Sequence, residues 1–319
     1  MAWIVGIDEA GYGPNLGPFV MTSVACRVPG RKPEINLWRS LLGAVRSGKE
    51  DRDDRFLIDD SKVVYAAGQG LAELERSVLG TLWPGRGEET LENFLTWAGT
   101  EGMEELRREP WYRGQDAVPG HLVFENGVRN ASERFERVCG RAQVGPWRVR
   151  CVVLCPRRFN HLVEANSKGA VLAHCLGQLL ANNRVFLDGD DPVFFFIDKH
   201  GGRNTYAAQL QDALPGGMVL SLCEGANCSR YRVVGLERPI QVQFEPRADS
   251  AHFCVALASM VSKYLRERFM EGFNAFWQRH LPGLAATAGY PGDALRFWQS
   301  ISPVAQRLGI LADDLWRKK

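Results

Sequence analysis

Asp8 and Glu9 close a short apolar run, Trp3 to Asp8, and stand directly before a glycine-rich turn, Glu9-Ala-Gly-Tyr-Gly-Pro14. Successive strand side chains point to opposite faces, so at least one of these carboxylates emerges at a sheet edge. Taken alone, such a pair is more simply a turn cap, because short acidic side chains bond the backbone of turns. Asp198 changes that reading: it ends a second apolar run, Phe194-Phe-Phe-Ile-Asp198, and is again followed by glycines, Gly201 and Gly202. A carboxylate at the end of a buried run requires hydrogen bonds, a cation or a raised pKa. Asp249, at the head of a long helical pattern, is a fourth candidate, although an N-cap role by itself would account for it.

Four oxygen-ligand side chains suit a hard divalent ion, Mg²⁺ or Mn²⁺, rather than zinc. Such ions serve phosphate chemistry. Two of them about 3.5–4 Å apart activate a water and stabilise the leaving oxygen in an in-line displacement at phosphorus.

The elements that must position these acids follow from the apolar pattern. Trp3 to Asp8 and Phe19 to Val28 read as two buried strands joined by a loop. Arg148 to Leu154 and Pro192 to Ile197 read as strands enclosing a helical stretch from about Phe159 to Ala181, and this alternation predicts an α/β core. A helix over Thr205 to Leu214 and a strand over Met218 to Leu222 follow. Tyr231 to Val234 and Ile240 to Phe244 read as an added hairpin. The spacing of Phe253, Ala256, Leu257, Met260, Tyr264 and Leu265 predicts one long helix from Ser250 to about His280, with Asp249 near its N-cap. Two shorter helices are expected near Asp293 to Gln299 and Pro303 to Trp316. Between about Trp83 and Pro146 the pattern is interrupted by Gly85, Gly87, Gly99, Gly102, Pro110, Gly114, Pro119 and Gly120. This segment reads as a large insertion with some helix: a lid, a substrate-contacting subdomain or an elaboration of the core. No internal repeat or low-complexity tract is present.

The 319 residues, 45% hydrophobic and 24% charged, exclude the disordered and fibrous classes and suit one large domain or two small ones. No apolar run reaches the roughly 18 residues of a membrane span, and no secretory pattern opens the chain, so a cytoplasmic protein is expected. Neither Cys151-x3-Cys155 nor Cys223-x4-Cys228 has a second ligand pair at zinc-site spacing, and the eight cysteines read as reduced thiols. A net charge of +2 gives no global electrostatic argument for a polyanionic partner. The acid-rich stretch Glu50 to Asp60 and the arginines of Arg129 to Arg158, including Arg134, Arg137, Arg141, Arg148 and Arg150, read as solvated faces.

Gly6-Ile-Asp-Glu-Ala-Gly-Tyr-Gly-Pro14, followed by Gly17-Pro18, resembles the opening motif of the type 2 ribonucleases H, bacterial ribonuclease HII and HIII. Asp60-Ser61-Lys62 resembles the family's Asp-Ser-Lys element, and Glu164-Ala165-Asn166 its asparagine-containing segment. Asp198 resembles the third acid. Asp249-Ser250, followed by Val255-Ala-Leu-Ala-Ser-Met260 and Lys263, resembles the fourth acid with its alanine-serine helix, and Gly289-Tyr290 the late glycine-tyrosine. The resemblance spans about residues 1–80 and 148–300, leaving the 83–146 insertion and the 231–244 hairpin outside it.

The resemblance implies an α/β fold with a ribonuclease H-like mixed β-sheet flanked by helices, a large insertion at about 83–146 and a C-terminal helical part from about residue 281. It implies a single catalytic domain over 1–319. Asp8, Glu9, Asp198 and Asp249 would bind two divalent ions, Mg²⁺ or Mn²⁺, and carry catalysis. The backbone at Gly11, Tyr12 and Gly13 would approach a ribose 2′-OH, with Tyr290 packed against the sugar at the RNA to DNA junction. Glycine lets a backbone come that close to a ligand, and the 2′-OH is what distinguishes RNA from DNA. Ser61 and Lys62 would contact backbone phosphate, joined by some of Lys263, Arg266 and Arg203.

Several positions depart from the family pattern. Tyr12 replaces the arginine usual in ribonuclease HII and resembles ribonuclease HIII, whose extra N-terminal domain is not expected ahead of Met1. Lys199 and His200 read as exposed or salt-bridged. Val63-Val-Tyr-Ala lacks the family's second lysine, and Ser250-Ala-His252 the lysine after the fourth acid. The expected activity is that of a metal-dependent endonuclease of DNA replication and repair. It would cleave RNA in RNA–DNA hybrids, or ribonucleotides embedded in duplex DNA, leaving 3′-hydroxyl and 5′-phosphate ends. The alternatives are a nucleic-acid binding module of the same fold that has lost its chemistry, and a nuclease for DNA or junctions.

Overall fold

The computed structural model describes residues 1–48, 53–65, 71–83, 89–113, 117–118, 126–165, 168–187 and 189–318. Glu50, Gly85, Gly87, Gly114, Pro119, Gly120 and Asn166, singled out in the sequence, lie outside the described residues. No helix among the described residues is long and apolar enough to cross a membrane.

A seven-stranded mixed sheet forms the centre, flanked by helices on both faces. Its strands are β1 (Ala2–Ala10), β2 (Phe19–Val28), β3 (Trp147–Leu154), β4 (Val193–Asp198), β5 (Met218–Cys223), β6 (Ser229–Val234) and β7 (Ile240–Glu245). The spatial order is β3-β2-β1-β4-β7-β6-β5. β4 runs parallel to both β1 and β7, whereas the remaining pairs are antiparallel. The 231–244 segment is therefore no appended hairpin. Its second strand lies beside β4 in the body of the sheet, because Val242 and Phe244 alternate into the same apolar layer as Phe195 and Ile197.

Alternation along β1 decides where its acids point. Trp3, Val5 and Ile7 enter the layer formed with the helix Lys168–Phe186, while Ala2 and Ile4 enter the layer formed with the long helix Phe253–His280. A side chain of this size fully withdrawn from water stabilises the fold by about 1.5–3 kcal/mol, and a one-residue slip would reverse every assignment. Gly6 faces the long helix so closely that a Cβ there would stand 2.1 Å from the backbone of Cys254 and Val255. The helix thus rests directly on the strand that delivers Asp8.

Long-range contacts revise three boundaries. The 159–181 stretch is two helices, Pro156–Ala165 and Lys168–Phe186. The long helix begins at Phe253 rather than Ser250, because His252 is extended, at φ −127° and ψ 117°. Asp249 accordingly lies within a separate short helix, Ala248–Ala251, and does not cap the long one. The C-terminal pattern is one continuous helix, Pro291–Arg307, running through Pro303 and followed by a single 3₁₀ turn at Ala312–Asp314. Proline removes a helical donor to the carbonyl four residues earlier; at that carbonyl, Gln299 O instead accepts from Ser302 Oγ at 3.4 Å.

The insertion packs as core. Leu91, Phe94, Leu95, Leu106, Ala131 and Phe135 join the apolar layer under the long helix, so these described parts of the segment belong to the core rather than to a free lid. Glu101 also caps the outer edge of β3, donating its N–H to Cys151 O and accepting from Val153 N, both at 2.9 Å. Beneath it Glu75 is fully buried, accepting from Tyr264 Oη at 2.8 Å and from Arg268 at 3.1 Å.

Candidate active site

The parallel pairing of β1 with β4 sets Ile7 opposite Ile197, so Asp8 and Asp198 leave adjacent strands at one sheet edge. The next residue of β7, Glu245, pairs with Asp198, and the chain then turns through Arg247, in the left-handed region at φ 56°, into the short helix carrying Asp249. Ala248 N–H donates to Asp198 Oδ1 at 3.0 Å, fixing that helix against the end of β4. Acids from three distant stretches of sequence are thereby gathered at one edge.

Their electrostatics identify Asp198 as the common neighbour. Burial is the largest influence on all four carboxyls and raises each pKa; the charge of Asp198 raises Asp8, Glu9 and Asp249 further. Glu9 reaches about 7. Opposing this, Lys62 favours the ionised forms of Glu9, Asp198 and Asp249. Lys62, expected at phosphate, therefore stands as a counter-charge to three of the four acids.

Each carboxylate is engaged separately. Asp8 Oδ1 accepts from Glu9 N–H at 2.8 Å, and Ser259 also bonds the Asp8 side chain; Asp249 Oδ1 accepts from Ser250 N–H at 2.9 Å. Among the described residues, no three His, Cys, Asp or Glu side chains are grouped so as to hold a metal ion in this arrangement. The donor chemistry nevertheless fits a hard divalent cation: four carboxylates, all disfavoured in their charged forms by burial and three by a shared neighbour.

Beside the acids, the Gly11–Gly13 turn is held from two directions. Gly11 adopts φ +87°, and a Cβ on it would lie 2.7 Å from the Arg266 side chain and 2.8 Å from Pro18 O. Gly289 O accepts from Asn15 N at 2.7 Å and Leu16 N at 3.2 Å, docking the Gly289-Tyr290 loop on the same turn. Tyr290, 49% exposed, approaches Gly13, whose Cβ position lies 3.9 Å from the ring. Tyr12 packs edge-on to Phe19, with ring centroids 6.2 Å apart.

The basic residues expected along a phosphate groove divide. Arg266 is buried, donates to Ala288 O at 2.7 Å and lies over the Tyr290 ring at 5.6 Å, so it braces the two loops. Lys263 pairs with Glu267 at 2.6 Å, and Arg203 donates to Gln209 at 2.9 Å. Ser61 is buried and accepts from Ser259 Oγ at 3.0 Å, while Asp60 caps its helix by accepting from Lys62 N at 2.9 Å. Lys199 turns away to Asn204 Oδ1, at 2.9 Å, and to Gly225 O. Burial and Arg203 lower the pKa of His200 to about 4.

Sequence reasoning passed over Glu245, which bonds His252 and stands in register with Asp198. Its signal was present: Ile240-Gln-Val-Gln-Phe-Glu245 is a third strand-like run closed by an acid, here alternating apolar and polar residues. In sequence the run reads as one arm of a hairpin. Thr22 and Ser262, hydrogen-bonded at 2.8 Å behind Asp8, carried no sequence signal.

No family model matches the sequence, and no curated protein matches it. Among solved structures, the chain is similar to one in the PCNA:RNase HII complex from Archaeoglobus fulgidus, at 14% identity and TM-score 0.42, covering 99% of this chain and 94% of that one. Ribonuclease H2 from Pyrococcus horikoshii OT3 is similar at 13% identity and TM-score 0.42, covering 98% and 92%. Bst-RNase HIII in complex with Mn²⁺ is similar at 15% identity and TM-score 0.41, covering 99% of this chain and 66% of that one.

Proposed function

We propose that the protein is a divalent-metal-dependent endonuclease that cleaves RNA in RNA–DNA hybrids, or at ribonucleotides within duplex DNA, through a single catalytic domain. The observation that carries this reading is the convergence of Asp8, Glu9, Asp198 and Asp249 at one sheet edge, with Asp198 disfavouring ionisation of the other three. The order of these acids in the sequence motifs supports it.

Asp8, Glu9, Asp198 and Asp249 would hold Mg²⁺ or Mn²⁺, which when bound supply a water of lowered pKa and stabilise charge on the leaving oxygen. Lys62 limits repulsion among the acids before an ion arrives. The Gly11–Gly13 turn offers backbone to a ribose 2′-OH, and the exposed ring of Tyr290 offers a face for the adjoining sugar. Arg266 holds turn and ring together. Hydrolysis on this reading leaves 3′-hydroxyl and 5′-phosphate ends.

The test is incubation with Mg²⁺ or Mn²⁺, and then with EDTA, against labelled duplexes bearing one ribonucleotide, a full RNA strand, or DNA only. Cleavage confined to ribose-containing duplexes and abolished by chelation is expected. Binding without cleavage would point to a non-catalytic module, and cleavage of the DNA-only duplex would overturn recognition of the 2′-OH.

A further inference from the structure

A cleft of about 660 Å³ lies where the insertion meets the helix Pro156–Ala165 and the C-terminal tail. That volume falls within the roughly 300–1,000 Å³ of small-molecule sites. Arg108 and Glu109 line it from the insertion, Arg157, Arg158 and Leu162 from the helix, and Ile310 from the tail.

Glu109 is the unexplained group. It is only 8% exposed, and among the described residues its carboxyl has no hydrogen-bond partner. Burial, aided by the charge of Asp314, raises its pKa to about 8, so at neutral pH it presents one donor beside one acceptor. Neither carboxyl oxygen is among the fully enclosed polar atoms without a partner in the described residues, so the group faces the cleft rather than the protein interior. Arg157 is matched by Asp314 and Arg158 by Glu105, both at 2.6 Å. Arg108 projects at the rim, 79% exposed and 4.0 Å from Glu104.

We propose that this cleft binds a nucleotide moiety, its base held by the Glu109 carboxyl between Leu162 and Ile310 and its phosphate met at the rim by Arg108. A base edge carrying a ring nitrogen beside an amino group, as in adenine or cytosine, answers the acid's donor and acceptor together. An amine ligand would face three arginines. Bare phosphate would leave both the apolar walls and Glu109 unused. The source is a free mononucleotide or an unpaired nucleotide of a bound strand. The cleft adjoins Cys155, directly after β3, whose end pairs with the start of β2 at the sheet edge that carries Glu9.

Calorimetric titration of the full chain with AMP, adenosine and ribose 5-phosphate tests the site. AMP should bind at least about tenfold more tightly than either fragment, a difference of about 1.4 kcal/mol. Glu109→Leu should weaken AMP binding by about tenfold or more, while Glu109→Gln, which keeps a donor and an acceptor, restores it to within about threefold. Arg108→Ala should weaken AMP but not adenosine. Competition against AMP by a hybrid with an unpaired overhang, but not by a blunt one, assigns the site to a strand; AMP binding that neither displaces assigns it to the free nucleotide. Asp198→Asn leaves AMP binding unchanged, separating this site from the proposed nuclease centre. AMP bound no better than ribose 5-phosphate, or unaffected by Glu109→Leu, overturns the proposal.

Discussion

Ser61 and Ser259, 198 residues apart, share a hydrogen bond of 3.0 Å that ties the short helix bearing Lys62 to the long helix behind Asp8. Through this bond the counter-charge and the carboxylates share one frame. Ser61→Ala should cost about 1 kcal/mol, the net worth of such a bond, and lower the melting temperature by about 1–2 °C. Chemical denaturation and calorimetry measure both. An unchanged midpoint would show that the tie contributes nothing.

Replacing Asp198 by Asn should separate stability from chemistry. The amide keeps an acceptor for Ala248 N–H yet removes the charge that disfavours ionisation of Asp8, Glu9 and Asp249. In EDTA the variant should melt about 1–2 °C higher, since about 1 kcal/mol moves a domain of this size by roughly 1.5 °C. Turnover of a ribose-containing duplex should disappear. A lower melting temperature would refute the electrostatic account of the cluster.

Arg266→Ala should loosen the Gly11 turn and the Tyr290 loop together, because one side chain packs on the first, bonds the second and lies over the ring. Loss of its charge-assisted hydrogen bond predicts destabilisation of about 1.5–3 kcal/mol. Hybrid binding should weaken more than binding to DNA alone, which parallel titrations would read. Equal weakening of both would place its role outside ribose recognition.

Glu109 makes stability fall with alkaline pH. Its folded pKa, about 8, lies above the ordinary 4.5, so the folded state holds the proton more tightly. The corresponding stability is fully present below about 4.5 and is lost as pH rises through about 8. Glu109→Gln should therefore gain on the wild type between pH 5 and pH 9, with the difference levelling above pH 8 to 9 (a window set by the same linkage, about one unit either side of the folded pKa). Paired melting curves across that range check it; a constant difference would contradict the shift.

The strands were the most legible part of the fold. Phe19–Val28 has the expected bounds, and the runs ending at Asp8, Leu154 and Asp198 all became sheet, because buried strands read as continuous β-branched and aromatic segments. Helix boundaries were less legible. The periodicity of Phe253 to Leu265 does not fix where the helix starts, and His252 is held extended where it bonds Glu245 and stacks on Phe196. Local propensity carries no record of those partners. Pro303 misled in the opposite sense, breaking the pattern in sequence without ending the helix.

The places of Asp8, Glu9 and Asp198 at the ends of apolar runs, and of Asp249 ahead of a helical pattern, were legible in the sequence alone, since the side-chain spacing that marks a strand or helix is local. Tertiary structure decided what surrounds them. It made Lys62 a shared counter-charge, buried Arg266 as a brace, set Glu245 beside Asp198 and left Glu109 unmatched in a cleft. Each of these depends on distance between residues far apart in the chain. Desolvation and Coulomb interaction act through space, so only the folded arrangement fixes their size and sign.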